Sequence, residues 1–382
     1  MKVHWLIPLT CDSVFQFTSK NELARAFRDI GNEITTTVAY INEQTPLDGF
    51  SDVEYVHTQR GSLFAKIKFH WRMIQSVWKS DADVIMFGFP AAHLMPLAAL
   101  SRGTRIKKKF VMDIRTIPVD VSPGLDGRIE ILRYNLSIWL ADKYCDGLTA
   151  ITPMLASTLQ SKLKRLKQKI GIWTSGVNLR HFTRDGEDRR KKLGLSGKRV
   201  LLYHGILSPN RGIQNVIRAL DLLRDEFPDL IFLIVGDGPG RSEFEDLVRT
   251  LKLTKKVQFV GRVPYSDIAN YVRCADLAVL PFPDIEWWAV SSPIKLMEYL
   301  AVGIPIVATD IEAHRFVVEK TGGVVLAKNE QPESLERALR KALKIRMESV
   351  NLDKLQQTIS WTSQARELEV FLHNLCKSGT IY

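Results

Sequence analysis

Short apolar runs and amphipathic segments alternate along most of the 382-residue chain. Near the start, the apolar run KVHWLIPL precedes SKNELARAFRDI, whose apolar residues recur at helical spacing, and EITTTVAY follows. Ser19 and Glu22 have the spacing of a capping box, which predicts that this helix begins at Ser19. ADVIMFGFP, KKFVMDIR and GLTAIT continue the strand pattern. The alternation predicts an α/β protein with parallel sheets.

The same alternation begins again in the second half, after the polar stretch TRDGEDRRKKLGLSGK. We therefore predict two Rossmann-like domains that face each other across a cleft, with ligands at the carboxyl ends of the strands. The predicted domains are residues 1–184 and 185–360. Residues 361–382 are expected to form a C-terminal helix that packs back toward the first domain.

Composition excludes several classes of protein. Hydrophobic residues make up 45% of the chain, which is typical of a globular protein and not of a disordered one. The sequence contains no run of 18 or more apolar residues, so no membrane-spanning helix is predicted. The four cysteines are scattered and lack metal-ligand spacing, which favours a reduced, cytoplasmic protein. The first apolar run is expected to be a buried strand and not a signal peptide.

The net charge of +11 is uneven along the chain. Residues 1–182 carry 24 Lys/Arg against 16 Asp/Glu, and the other 200 carry 29 against 26. This excess predicts an anionic partner for the first half. Nucleic acid is not expected, because no known reader motif accompanies the basic residues.

One segment of the first half is a candidate membrane contact. In residues 62–80, five apolar residues share one helical stripe, and three cations lie mostly off it. The apolar set is Phe64, Ile67, Trp71, Ile74 and Trp78, and the cations are Lys68, Arg72 and Lys79. With the basic loop 102–110, this pattern predicts peripheral binding to an anionic membrane, such as the inner face of the plasma membrane. The alternative is that the stripe packs on the sheet.

Two turns of the second half could bind phosphate. YHGILSPNRGIQN places Gly205 and Arg211 between a strand and a helix, where backbone N–H groups and a guanidinium suit a phosphate. The first glycine of VGDGPGR is Gly236. The motif lacks the G-x-G-x-x-G spacing of dinucleotide-binding sites, so hydride transfer is not favoured. For each turn the alternative is a plain strand–helix connection.

A third segment, SSPIKLMEYLAVGIPIVATD, could bind both phosphate and ribose. Ser292 is expected to cap its helix, with Pro293 in the first position. Glu298 could accept hydrogen bonds from ribose hydroxyls, and Lys295 lies on the same helical face. The alternative is a surface Lys295–Glu298 ion pair. Because all three segments follow strands of one sheet, together they suit a nucleoside diphosphate.

These motifs resemble the family-4 glycosyltransferases of the two-Rossmann GT-B fold. The resemblance covers nearly all of residues 200–327, through G-x-L-x-P-x-R-G, VGDGP and SSPIKLMEYLAVGIPIVATD. In the first half it is looser and includes GNEI, DIR and TSGVNLRHF. Three departures stand out: Val290 replaces the first of a glutamate pair, Ile206 replaces an arginine, and a Gly-Gly loop after the first strand is missing.

The resemblance implies roles for particular residues. Arg211 corresponds to a diphosphate-binding lysine, Glu298 to the ribose-binding glutamate, and the backbone near Val263 to the base contact. Backbone amides near Ser291 and Ser292 are expected to meet the distal phosphate. Gly205 and Gly236 complete the donor side, and Lys295 adds positive charge. On the acceptor side the candidates are His93, Asp113 and Arg115.

We therefore expect a retaining glycosyltransferase that moves a sugar from a nucleotide-sugar to a glycan or lipid-linked acceptor. No metal or other cofactor is expected, because GT-B enzymes generally need none and the eight histidines show no ligand spacing. Asp81 and Asp83 form a DxD pair, for which a capping or turn role is expected. The alternatives are an epimerase or hydrolase-type relative and a non-catalytic nucleotide- or glycan-binding protein.

Overall fold

The structure is a computed structural model that describes residues 1–11, 14–42, 44, 46–59, 62–89, 91–100, 108–118, 124–344 and 352–377. The chain divides into two compact units. Unit 1 comprises Met1–Gly176, Val290–Ser292 and Trp361–Tyr382, and unit 2 comprises Val177–Ala289 and Pro293–Ser360. Both units are α/β with parallel sheets, as the alternating pattern predicts.

Unit 1 is an open parallel sheet with helices on both faces. Its strands are β1 (Lys2–Thr10), β2 (Glu33–Tyr40), β3 (Asp52–His57), β4 (Val84–Gly88), β5 (Lys109–Ile114), β6 (Gly147–Ala150) and β7 (Ile170–Ile172). Its helices are α1 (Val14–Asp29), α2 (Leu63–Lys79), α3 (Met95–Ala98), α4 (Leu125–Tyr144), α5 (Pro153–Gln160) and α14 (Trp361–Lys377). The strand order is β3-β2-β1-β4-β5-β6-β7.

The strand order also determines which face each helix covers. Because crossovers between parallel strands are right-handed, α1 covers one face, and α2 to α5, which follow β3, β4, β5 and β6, cover the other. Helix α14 packs against α1, and both contribute to a core with the buried side chains of β1 and β4. The C-terminal helix therefore belongs to the fold of unit 1.

The expected start of α1 is wrong. The helix begins at Val14, so Ser19 and Glu22 lie inside it and do not form a capping box. Glu22 Oε1 instead accepts a hydrogen bond from Arg25 at 2.7 Å. The earlier start buries Phe17 on the same core as Phe27, and this burial outweighs the local capping signal.

Unit 2 repeats the doubly wound arrangement. Its strands are β8 (Arg199–His204), β9 (Leu230–Val235), β10 (Val257–Gly261), β11 (Leu277–Leu280), β12 (Ile306–Thr309) and β13 (Val324–Ala327). Its helices are α6 (Ile213–Leu223), α7 (Arg241–Thr250), α8 (Tyr265–Val272), α9 (Glu286–Ala289), α10 (Ile294–Val302), α11 (Glu312–Thr321), α12 (Pro332–Lys344) and α13 (Leu352–Ile359). The strand order β10-β9-β8-β11-β12-β13 reverses direction between β8 and β11. Ligands of open α/β sheets bind at such a reversal, beyond the carboxyl ends of the strands.

Unit 2 begins at Val177, eight residues before the predicted boundary at residue 185. The side chains of unit 2 hold the intervening segment: Arg273 Nε donates to the carbonyl of Thr183 at 2.8 Å. Arg184 Nη2 donates to the carbonyl of Gly303 at 3.1 Å. The polar composition of this segment does not reveal these backbone contacts.

Candidate functional site

Glycines bring the carboxyl ends of β8, β9 and β10 into close contact. The N–H of Gly205 donates to Val235 at 2.8 Å, and the N–H of Gly236 donates to Gly261 at 2.8 Å. Gly236 has φ +140°, and a Cβ there would lie only 1.9 Å from the carbonyl oxygen of Gly205. Only glycine permits this approach. Val263 is half-buried two residues beyond Gly261.

Arg211 lies on an aromatic platform beside these strand ends. It closes the 3₁₀ turn Pro209–Arg211 that precedes α6. Its guanidinium carbon is 4.8 Å from the ring centroid of Trp288 and 5.6 Å from that of Phe282. These two rings stack at 4.2 Å, and Trp288 Nε1 donates to the carbonyl of Asn210 at 2.9 Å. The platform orients a guanidinium whose Nε is buried without a hydrogen-bond partner among the described residues.

Lys295 is a second cation at the same place. It lies in the first turn of α10, and its Cε would be 2.3 Å from a Cβ built on Gly205. Burial, then the charge of Arg211, lower its pKa to about 7 from an ordinary value of 10.5. The pKa falls because the site is positive and poorly hydrated, which favours the neutral amine. An anion bound here would oppose both effects, because its charge favours the protonated amine.

Glu298 is buried and does not form a surface pair with Lys295, so that alternative is wrong. Its side chain is 2% exposed, with Oε2 at 3.0 Å from His204 Nε2. The hydroxyl of Tyr265 donates to Oε1 at 2.8 Å. Burial alone raises the pKa of a carboxyl group, but His204, Tyr265 and Lys295 together lower that of Glu298 below its ordinary value. The carboxylate is therefore held ionised in a fixed orientation.

The expected cap of α10 is also wrong. The N-cap position is Pro293, no side chain caps the helix, and the helix begins at Ile294. Ser292 belongs to unit 1 with Ser291, and its Oγ accepts a hydrogen bond from the N–H of Ser175 at 3.0 Å. This backbone contact occupies the hydroxyl that was expected to cap the helix.

The acceptor-side candidates form part of the carboxyl end of the sheet in unit 1. Asp113, at the end of β5, is 1% exposed and accepts a hydrogen bond from Thr149 Oγ1 at 2.8 Å. Burial raises its pKa, against the opposing charge of Arg115. Arg115 stacks on Trp173, with its Cζ 3.4 Å from the ring centroid, and donates to the carbonyl of Trp173 at 2.7 Å.

His93 and the DxD pair have other neighbours. His93 is exposed in the 3₁₀ helix Ala91–Leu94, and its ring contacts that of His70 in α2, with centroids 4.6 Å apart. Asp81 pairs with the ammonium group of Lys2 at 2.7 Å, and Asp83 accepts a hydrogen bond from the N–H of Lys2 at 2.8 Å. The DxD carboxylates therefore bind the start of β1. Among the described residues, no three His, Cys, Asp or Glu side chains are grouped as a metal site.

Sequence reasoning missed His204, Tyr265 and Trp288. His204 had a weak signal, since it directly precedes Gly205 at a strand end. Tyr265 opens α8, and Trp288 lies in the short α9, where no pattern links either to the phosphate motifs. Only the fold brings these side chains to Glu298 and Arg211.

Comparison with known proteins finds a family match over less than half of the chain. Residues 185–358 match the family described as Glycosyl transferases group 1. Over these residues the chain is similar to the group 1 glycosyltransferases. The crystal structure of HepE from Anabaena in complex with UDP-glucose aligns with 100% of this chain and 99% of HepE, with a TM-score of 0.70 and 16% identity. At this identity the similarity shows the fold alone, which is the GT-B fold.

Two curated relatives extend the sequence similarity. TuaC of Bacillus subtilis, a glycosyltransferase assigned by its name to teichuronic acid biosynthesis, is 30% identical over 184 residues. That alignment spans 47% of this chain and 43% of TuaC. The uncharacterized glycosyltransferase MJ1069 of Methanocaldococcus jannaschii is 25% identical over 328 residues, or 81% of this chain and 79% of that protein.

Proposed function

We propose that the protein transfers a sugar from a nucleoside diphosphate sugar to a glycan or lipid-linked acceptor. The observation that carries this proposal is the convergence of Arg211 and Lys295 over the glycine-lined ends of β8 and β9. Two adjacent cations destabilise each other until an anion lies between them. The fixed carboxylate of Glu298 supplies an acceptor for ribose hydroxyls on the same helix as Lys295.

The chemistry of transfer follows from charge. Negative charge develops on the diphosphate as the bond to the sugar breaks, and preorganised cations stabilise it without moving. Arg211 is held by Trp288 and Phe282, so its guanidinium is oriented before the donor binds, and the side chain of Lys295 lies against the backbone of Gly205. We propose that the reaction needs no metal and that the anomeric configuration is retained, as the resemblance implies.

The comparisons agree with this proposal without identifying the substrates. HepE is in complex with UDP-glucose, and the name of TuaC refers to a polysaccharide, so a uridine donor and a polysaccharide precursor are the first candidates to test. In unit 1, we propose that Asp113 and Arg115 contact the acceptor. Both residues are held by neighbours, with Thr149 on Asp113 and Trp173 beneath Arg115.

One observation favours a second candidate, a non-catalytic donor-binding protein. Val290 stands where the resemblance expects a glutamate, and it is 6% exposed in unit 1. Its carbonyl accepts a hydrogen bond from Thr152 Oγ1 at 2.7 Å. This apolar position provides no carboxylate for the donor sugar, so the donor could be bound and not consumed.

We further propose that α2 binds an anionic membrane surface. Four residues of the predicted stripe, Phe64, Ile67, Trp71 and Trp78, are exposed, and Ile74 is buried. The alternative, in which the whole stripe packs on the sheet, is therefore wrong. Residues 102–107 of the predicted basic loop lie outside the described residues. Lys108 is buried and donates to the carbonyl of Val77 at 2.8 Å, so it does not face a membrane.

The donor class is tested by thermal unfolding with UDP-, GDP-, ADP- and TDP-glucose, since a bound donor stabilises the folded state in proportion to its occupancy. The donor that stabilises the protein is then incubated with lipid and glycan acceptors, and released nucleoside diphosphate is measured. Acceptor-dependent release supports transfer. Stabilisation without release supports the binding protein, and no stabilisation by any nucleotide-sugar contradicts both. Proton NMR of the product then reports the anomeric configuration.

A further inference from the structure

Helix α4 has an apolar face on each side, and only one of them is buried. The inner face packs within unit 1 and contains Tyr134, Ile138 and Ala141. The outer residues recur at positions i, i+4, i+7, i+11 and i+14, and all are exposed: Leu125, Ile129, Leu132, Leu136 and Trp139. Leu125 is 73% exposed and Leu132 is 66% exposed. A helix on the surface of a globular protein normally has a polar outer face.

Helix α2 repeats this feature with a different charge. Its outer apolar side chains include Phe64, which is 77% exposed, and Trp71, whose ring contacts Trp78 at 5.6 Å between centroids. The helix contains four exposed cations and no acidic residue. The cations are Lys66, Lys68, Arg72 and Lys79.

The two outer faces lie on the same side of unit 1. Both helices follow strands whose crossovers cover the same face of the sheet, and α3 contacts both of them. Trp78 Nε1 donates to the carbonyl of Leu97 at 3.3 Å, which joins α2 to the α3 segment. Leu97 and Leu100 are themselves exposed. Of the 16 exposed large apolar side chains in the described residues, 12 belong to residues 64–139.

We infer that α2 and α4 together form one docking surface for an anionic lipid bilayer, and that the outer face of α4 enters the acyl boundary. This inference deepens the proposed membrane association and does not depend on the transfer reaction. Apolar side chains bordered by cations match the headgroup region of anionic lipid. Trp71, Trp78 and Trp139 have the amphipathic rings that favour that region, and Lys143 Nζ lies 5.3 Å from the ring of Trp139.

Charge argues against a second copy of the chain as the occupant. In a two-fold dimer the same patch meets itself, so the cations of α2 would face a surface that again contains those cations. The acidic residues of α4, Asp126, Glu130 and Asp142, project away from its outer apolar face by helical spacing. A bilayer that contains anionic lipid supplies the missing negative charge.

If α2 and α4 form this docking surface, substitutions in the two helices should affect vesicle binding in different ways. Insertion of α4 depends on apolar contact, so Leu132→Ser with Leu136→Ser should lower vesicle binding at least about tenfold at any salt concentration. Attraction of α2 depends on charge, so Lys68→Gln with Arg72→Gln should weaken binding mainly at low salt and mainly to anionic vesicles. Leu222→Ser and Lys191→Gln are the matched controls, because both residues are exposed in unit 2.

The full-length protein is sedimented with sucrose-loaded vesicles of phosphatidylcholine, alone or with an equal part of phosphatidylglycerol. We expect binding to the mixed vesicles, tenfold loss in the α4 variant and no change in either control. Equal binding by the α4 variant and the wild type would overturn the inference. So would a self-association in sedimentation velocity that the α4 variant abolishes, since the occupant would then be a second copy. Donor-induced thermal stabilisation of each variant keeps this test separate from that of the proposed activity.

Discussion

At the scale of single residues, Arg211 is expected to act on the chemical step. The rings of Trp288 and Phe282 hold its guanidinium at the site where, in the proposed reaction, charge develops on the leaving diphosphate. Arg211→Ala should therefore lower kcat by about 10²–10³-fold, the usual effect of removing one preorganised donor. Arg218→Ala, which removes an exposed arginine from the adjoining α6, is the control. Folded Arg211→Ala protein with the wild-type transfer rate would contradict the site assignment.

Glu298 is expected to affect donor binding more than the chemical step, since ribose is bound equally before and during transfer. Loss of such uniform binding raises KM and changes kcat less. Glu298→Ala also removes the partner of His204 and Tyr265 inside the protein, which can unfold it. Glu298→Gln keeps the shape and is therefore the decisive variant. A donor KM equal to that of the wild type in the folded Gln variant would exclude Glu298 as the ribose ligand.

The lowered pKa of Lys295 predicts a pH dependence of donor binding. Above its pKa of about 7 the amine of the free protein is mostly neutral. A bound diphosphate favours the charged form, so binding takes up a proton. The Kd for a nucleoside diphosphate should then rise by up to about tenfold per pH unit from about pH 7 to pH 9.

Calorimetry in two buffers of different ionisation enthalpy measures this proton uptake directly. Lys295→Met should bind more weakly near neutral pH, with no proton uptake and a nearly constant Kd over the same range. A wild-type Kd that does not change with pH would show that the diphosphate does not contact Lys295.

At the scale of elements, the predictable features were those with one dominant local signal. The alternating pattern predicts both sheets, because parallel strands buried on both faces are continuous apolar runs such as β9. Local capping signals failed twice, at Ser19 and Ser292, because core packing and a contact with Ser175 outweighed them. Helix α4 was missed because its two apolar faces leave no single amphipathic stripe.

The close contact between Gly205, after β8, and Gly236, after β9, predicts that an alanine at Gly236 lowers the stability of the protein. Gly236→Ala places a Cβ 1.9 Å from the oxygen of Gly205 at a φ of +140°. Backbone strain and collision together should cost at least about 3 kcal/mol. Gly194→Ala is the matched control, with φ +69° and open space around its Cβ, and should cost about 1 kcal/mol. Urea unfolding measures both, and similar losses would mean that the close approach does not matter.

At the scale of the molecule, the polarity of the surface was only partly predictable. Net charge places the basic excess in the first half, and the pattern of residues 62–80 predicts an apolar stripe, four of whose five residues are exposed. It did not reveal that Ile74 turns inward or that Lys108 is buried, because both depend on packing against other elements. Among the described residues, no helix has the length and hydropathy needed to cross a bilayer.

The last prediction concerns which of the two units a bound nucleotide stabilises. Each unit has its own sheet, and Arg211, Lys295 and Glu298 all belong to unit 2. A ligand that binds only the folded state of one unit protects the amides that exchange when that unit unfolds. At 100 times its Kd, a nucleoside diphosphate adds about 2.7 kcal/mol, or roughly 100-fold slower exchange. We expect this protection in β8 and β9 and much less in β4 and β5, by hydrogen-exchange mass spectrometry.

The parent nucleoside, which lacks the diphosphate, should protect far less because it does not reach Arg211 and Lys295. Protection confined to unit 1 would place the nucleotide site elsewhere, and equal protection of both units would mean that they unfold together.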